Sequence, residues 1–134
     1  MKIFINSMVS ILTTFFVYIF GTFDVALQCF LVAIVLDYIT GILSAGYNKK
    51  LNSKIGLKGI IKKLALLCLI ALAVVIDKIT GADGIVRTLI IYYLVANEGL
   101  SIIENLSEMN IIIPKFIKDK LEQLKDGENN ESKC

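Results

Sequence analysis

Asp37 and Glu98 each interrupt an apolar run long enough to cross a bilayer, and this constrains the chain more than any other feature. Asp37 lies within Val25 to Tyr47 and Glu98 within Ile85 to Ile103, while Lys49, Lys50, Lys54, Lys58, Lys62 and Lys63 crowd the connection between Tyr47 and Leu64. A carboxylate facing hydrocarbon costs roughly 2.5 to 3.5 kcal/mol unless it meets a partner or water, and lysines hold a connection on the cytoplasmic side. A soluble domain has no use for this pattern. The 134 residues are 56% apolar, with no His, no Trp and one Pro, and the mean hydropathy is +0.74. These values fit one all-α integral membrane domain and exclude a disordered or disulfide-stapled secreted chain.

Four apolar segments are predicted. Ile5 to Phe23 carries Asn6, Ser7, Ser10, Thr13 and Thr14 and is near the lower limit of the roughly 17 to 25 residues that span a bilayer. It either spans or lies in the interface, so the architecture has three to four transmembrane helices. No small-x-small cleavage site follows it, the exit reading Phe20-Gly21-Thr22-Phe23-Asp24, and it is expected to stay attached. Val25 to Tyr47 follows Asp24, a good helix cap. The third segment, Leu64 to Ile79, is short unless Lys62 and Lys63 snorkel and let the helix begin near Gly59 or Ile60. A tight turn, Gly81-Ala82-Asp83-Gly84, joins it to Ile85 to Ile103 as a helical hairpin.

Beyond Ile103 the stretch to Ile113 is too polar to span, and Pro114 closes it. Phe116, Ile117, Leu121 and Leu124 then recur at helical spacing, which predicts a short amphipathic cytoplasmic helix over Lys115 to Lys125. The chain divides into a transmembrane domain, 1–113, and a cytoplasmic tail, 114–134, whose end from Gly127 to Cys134 reads as frayed and polar. Net charge is only +2, yet all but two of the fourteen basic residues fall on one side of a four-span topology. With the lysine-rich connection cytoplasmic, Lys2, Lys115, Lys118, Lys120, Lys125 and Lys133 share its side, so the C terminus is cytoplasmic. The exceptions are Lys78 and Arg87. The lysine cluster can also attract anionic lipid headgroups, at about 1 kcal/mol per residue.

On the fourth segment Arg87, Ser101 and Glu108 are separated by multiples of seven, and Asn97 with Glu104, and Glu98 with Asn105, flank that line. They form one polar face, which either lines water between subunits or hydrogen-bonds neighbouring spans in a closed bundle. Asp37 lies about 18 Å along the helix from Asp24, close to mid-bilayer, or nearer the interface if the helix tilts and Thr40 and the lysines satisfy it. Gly41 and Ala45, with Ser44 and Gly46 beside them, offer a small-residue face for close helix packing. The sequence Ala33 to Gly41 echoes Ala73 to Gly81, as an inverted repeat or by chance between two apolar helices.

Nothing in the chain assembles into a catalytic or metal site, and neither enzymatic activity, a cofactor nor a nucleic-acid partner is expected. There is no His, and Asp37 and Glu98 come from different spans without a companion nucleophile or phosphate loop. Cys29 and Cys68 sit in apolar runs as small hydrophobes, and Cys134 ends the tail, where it is free to cross-link on oxidation.

Two blocks carry a family resemblance. The run Leu36-Asp37-Tyr38-Ile39-Thr40-Gly41-Ile42 with Ala45, then Asn52-Ser53-Lys54 with Gly56, Gly59 and Lys62-Lys63, resembles the signature of the phage-lysis and toxin-secretion holins of clostridia and their phages. So does Asn97-Glu98-Gly99-Leu100-Ser101-Ile102-Ile103-Glu104-Asn105 followed by Ile113-Pro114-Lys115, and the likeness covers about Leu36 to Lys125. The resemblance implies an inner-membrane protein that associates with copies of itself among membrane lipids and permeabilises the membrane, releasing an endolysin or a large toxin. It places Asp37, Thr40, Gly41, Glu98, Ser101, Glu104 and Asn105 in pore lining or assembly, and the polar face adds Arg87 and Asn97. A rival from another class is a small transporter or ion channel with Asp37 or Glu98 as its protonatable site.

Overall fold

The computed structural model describes residues 1–126 and folds them into five helices: α1 (Lys2–Phe20), α2 (Val25–Tyr47), α3 (Ser53–Thr80), α4 (Ile85–Glu108) and α5 (Lys115–Asp126). The first four are each long and apolar enough to cross a membrane. This is the all-helical, multi-pass architecture expected. Asp24 caps α2, its side chain accepting from the backbone N–H of Leu27 at 3.0 Å, and Gly81 closes α3 in the left-handed conformation, φ 68°. The readings that fall on Gly127 to Cys134, including those for Lys133 and Cys134, lie outside the described residues.

Two boundaries differ from the predicted ones. Asn52 accepts from the N–H of Lys54 at 3.0 Å, so α3 starts at Ser53, about two turns before Gly59 or Ile60. Lys54, Lys58, Lys62 and Lys63 therefore belong to a helix, and only Lys49 and Lys50 lie in the connection. At its other end α4 continues past Ile103 to Glu108 and stops where Asn110 adopts a φ of 60°.

The hydrophobic centre is a layer of Leu27 and Phe30 from α2, Ile70 from α3, and Ile91 and Leu94 from α4, none more than 2% exposed. Helix α4 is the hub, packing on α2, α3 and α5. By contrast α1 packs chiefly on α3 and buries no residue, although Phe16 and Phe20 reach the central layer. Along α1, Ser7, Ser10, Thr13 and Thr14 each donate to the carbonyl four residues back, which satisfies hydroxyls that would otherwise meet lipid unpaired. Helix α5 doubles back along α4. Leu121 sits where a side chain on Gly99 would be, 2.9 Å from the Cβ position, and Lys125 Nζ lies 6.0 Å from the ring centre of Tyr93.

Candidate functional site

The buried faces of α2, α3 and α4 share one pattern. Apolar residues of the central layer give way, one to two turns toward the lysine-rich end, to Asp37, Lys63 and Glu98. Lys63 Nζ donates to Asp37 Oδ2 and to Glu98 Oε2, joining three helices through one ammonium group. The second oxygen of Asp37 is also engaged: Asn105 Nδ2 donates to Asp37 Oδ1 at 3.1 Å and to Thr40 Oγ1 at 3.1 Å. Glu98 is different. Its side chain is 0% exposed and Oε1 has no hydrogen-bond partner among the described residues. Glycines shape the surroundings, because Gly56 and Gly59 lie against Tyr38 and Gly41 lies 3.6 Å, measured from its Cβ position, from Asn105 Nδ2. A Cβ at these positions would stand in ordinary van der Waals contact with Tyr38 or Asn105.

From this ion triad a funnel of about 820 Å³ runs between α2, α3 and α4 to the α2–α3 connection. Ser44, Asn48, Ser101, Asn105 and Glu108 line it, Ser44 Oγ donating to Glu108, and Lys50, Asn52 and Ser53 border its mouth. Apolar Ile42, Ala45, Leu51 and Ile55 share the lining with these polar groups. At the inner end the central apolar layer closes it.

A second polar cluster occupies the opposite end of the bundle. Asp77, on α3, accepts from the backbone N–H groups of Val86 and Arg87 at 2.9 and 2.8 Å, capping the α4 N-terminus from a neighbouring helix. The Arg87 side chain points the other way and gathers the α1–α2 connection, donating to Phe20 O at 2.6 Å, Thr22 O at 2.7 Å and Asp24 Oδ2 at 2.8 Å. Gly21 belongs to this clamp, since its φ is 77° and a Cβ there would stand 2.7 Å from Arg87 Nε. The hydrogen-bonded guanidinium holds the Asp24 carboxyl below its ordinary value. Beside the clamp Lys78 Nζ donates to Tyr18 O at 3.0 Å and lies 3.8 Å from the Tyr18 ring centre, tying α1 to α3.

Of the residues singled out from the sequence, the fold brings Asp37, Thr40, Gly41, Glu98, Ser101 and Asn105 together around the triad and its funnel. Arg87 belongs to the far end. Asn97 and Glu104 sit beside the polar face of α4 without a hydrogen bond among the described residues, and Glu104 is exposed. The basic cluster needs a correction: Lys63 turns inward because it shares the helical stripe of Gly56, Gly59, Leu66 and Ile70, whereas Lys54, Lys58 and Lys62 remain exposed. On the α4 polar face Arg87, Asn105 and Glu108 find hydrogen-bond partners inside the chain, and Glu98 does so through one of its two oxygens. Asp77 escaped the sequence reading, although it occupies the position in the echo that matches Asp37.

A model of the bacteriophage holin family matches residues 14–126, nearly all of the described chain. The chain belongs to the bacteriophage holin family. It is 35% identical over 104 residues to a probable holin of Bacillus phage phi105, covering 78% of this chain and 76% of that one. An uncharacterized 14.9 kDa protein in the nagH 3' region of Clostridium perfringens is 42% identical over 114 residues, 84% of this chain and 86% of its own. An uncharacterized protein of Listeria monocytogenes is 41% identical over 118 residues, 87% of this chain and 84% of its own. No solved structure matches. A holin-like role in a multi-pass membrane protein follows from the family, and it agrees with the resemblance drawn from the two sequence blocks.

Proposed function

We propose that copies of this chain assemble in a bacterial cytoplasmic membrane, with the lysine-rich end and the C terminus cytoplasmic, and open a pore that releases a folded protein. The observation that carries this reading is the internal placement of the polar groups. One copy buries Asp37 and Glu98 and half-buries Ser101 and Asn105 between three helices, and it meets lipid with apolar residues. Such a subunit is tolerated in lipid while dilute. When copies crowd together, the same helices can re-pair between neighbours and turn those side chains toward a shared lumen, with mass action setting the moment of opening. Asn97 and Glu104 then lie at contacts between copies.

The rival is a small channel of low-order oligomeric state; a path through one of its subunits would have to cross the central layer of Leu27, Phe30, Ile70, Ile91 and Leu94. An endolysin or a large toxin is the cargo that the family suggests, and the gene beside this one distinguishes them: a wall hydrolase means lysis, a large toxin means export. Expression of the chain in bacteria should release a cytoplasmic enzyme into the medium, and purified protein should release dextrans of protein size from liposomes. Retention of everything larger than an ion would refute the pore and favour the channel.

A further inference from the structure

We propose that α5 is a water-facing wall of the assembled pore, held against α4 at membrane depth with its outer ridge toward the lumen between copies. Given the pore proposed above, on which this rests, α5 is an element that meets its water. Position is the starting point. Helix α5 runs back from Pro114 along α4, with Leu121 seated at Gly99 and Lys125 Nζ 6.0 Å from the ring centre of Tyr93. By helix rise, Gly99 and Tyr93 stand about 21 and 12 Å from the start of α4 at Ile85, inside a hydrocarbon core about 30 Å thick. The last turns of α5 therefore lie at the depth of lipid chains.

Composition sets that depth against lipid contact. Leu121 and Lys125 are half-buried on the α4 side, while Lys118, Asp119, Lys120, Glu122, Gln123 and Asp126 are exposed. Asp119 and Gln123, two residues to either side of Leu121, project from the opposite face, and Asp126 continues their ridge. Pairing along the helix is slight. Lys118 approaches Glu122 at 3.9 Å with both side chains half-exposed, and Lys120 Nζ donates to Gln123 at 3.4 Å. Charged side chains at this depth face water or protein, not acyl chains. One copy offers no cover, because α5 packs on α4 and its outer ridge lies exposed. A lumen shared by several copies supplies the water, and it is continuous with the water at the lysine-rich end, where α5 begins.

The test uses the full chain, with Cys29, Cys68 and Cys134 replaced by alanine, in liposomes loaded with dextrans of graded size. Gln123→Cys should react with a bulky, membrane-impermeant maleimide, and the reaction should at least halve release of the largest dextrans while smaller ones still escape. Val75→Cys, on the exposed apolar side of α3, should stay unreactive. A short bifunctional maleimide joining Tyr93→Cys to Lys125→Cys, which fixes α5 on α4, should leave release unchanged. An unreactive Gln123→Cys, a modified one that releases every dextran as before, or a cross-link that fails to form or that stops release would each overturn the wall and leave the pore standing. Absence of release from the cysteine-free chain would instead refute the pore itself. If the doubly substituted protein does not fold, the exposed Gln123→Cys position decides alone.

Discussion

The two polar clusters use opposite strategies for keeping charge inside a membrane protein. At the Asp83 end, Asp77 and Arg87 spend their hydrogen bonds largely on main-chain groups that cannot leave, the α4 N-terminus and the carbonyls of Phe20 and Thr22. At the lysine-rich end, the helices are joined mainly by side chains: one flexible ammonium shared by two acids, Asn105 on Asp37 and Thr40, and Ser44 on Glu108. Backbone partners make a fixed clamp; side-chain partners can be exchanged for those of another copy. The difference assigns fold maintenance to one end and rearrangement to the other.

Removing the ammonium breaks this contrast most severely. Lys63→Met leaves two buried carboxylates unpaired and should cost about 3 to 5 kcal/mol, read as thermal unfolding in detergent. Adding Glu98→Gln to Lys63→Met should restore part of it. Unchanged unfolding in the single variant would mean that the triad holds nothing together. In lysis assays Glu98→Ala should impair assembly or release more than Cys68→Ala does, and equal, negligible effects on leakage would contradict that ranking.

The clamp comes next in size. Asp77→Ala exposes no new charge but strands the N–H groups of Val86 and Arg87, at about 1 to 3 kcal/mol, and faster protease cleavage at the α3–α4 turn should report it. Asp24 gives a smaller, pH-dependent effect, since its side chain is 40% exposed. Arg87 lowers the Asp24 carboxyl below the ordinary 3.8, so the pair contributes fully above that value and is lost as pH falls through the lowered one. The thermal stability difference between the unmodified protein and Asp24→Asn should therefore shrink on acidification below the ordinary value. Cys68→Ala stands at the bottom of the scale, with an expected change within about 0.5 kcal/mol, because the side chain lies on the exposed surface.

What the sequence made legible followed from periodicity and punctuation. Asp24 and Gly81-Ala82-Asp83-Gly84 mark the turns they were expected to mark, and α5 forms where its apolar residues recur. The start of α3 was misplaced because six lysines read as a connection, although Asn52 supplied a cap signal. Lys63 was legible in principle: counting back from Ile70 by helical steps reaches it, and snorkelling was the competing expectation that hid it. Asp77 had no local signal for its role, since it caps a helix other than its own. The packing of α5 on α4 was equally hidden, resting on the space that Gly99 leaves for Leu121.

Every attachment of α1 described above falls in its final turns: Phe16 and Phe20 at the central layer, Tyr18 under Lys78, and the Phe20 carbonyl on Arg87. The leading turns therefore behave as a mast stepped at one end, able to lean in the lipid without loosening a joint among α2, α3 and α4. Substitutions ahead of Thr13 are felt by the surrounding lipid and by adjacent molecules before they are felt by the rest of the chain, and the family match begins at residue 14, just where the mast meets its footing.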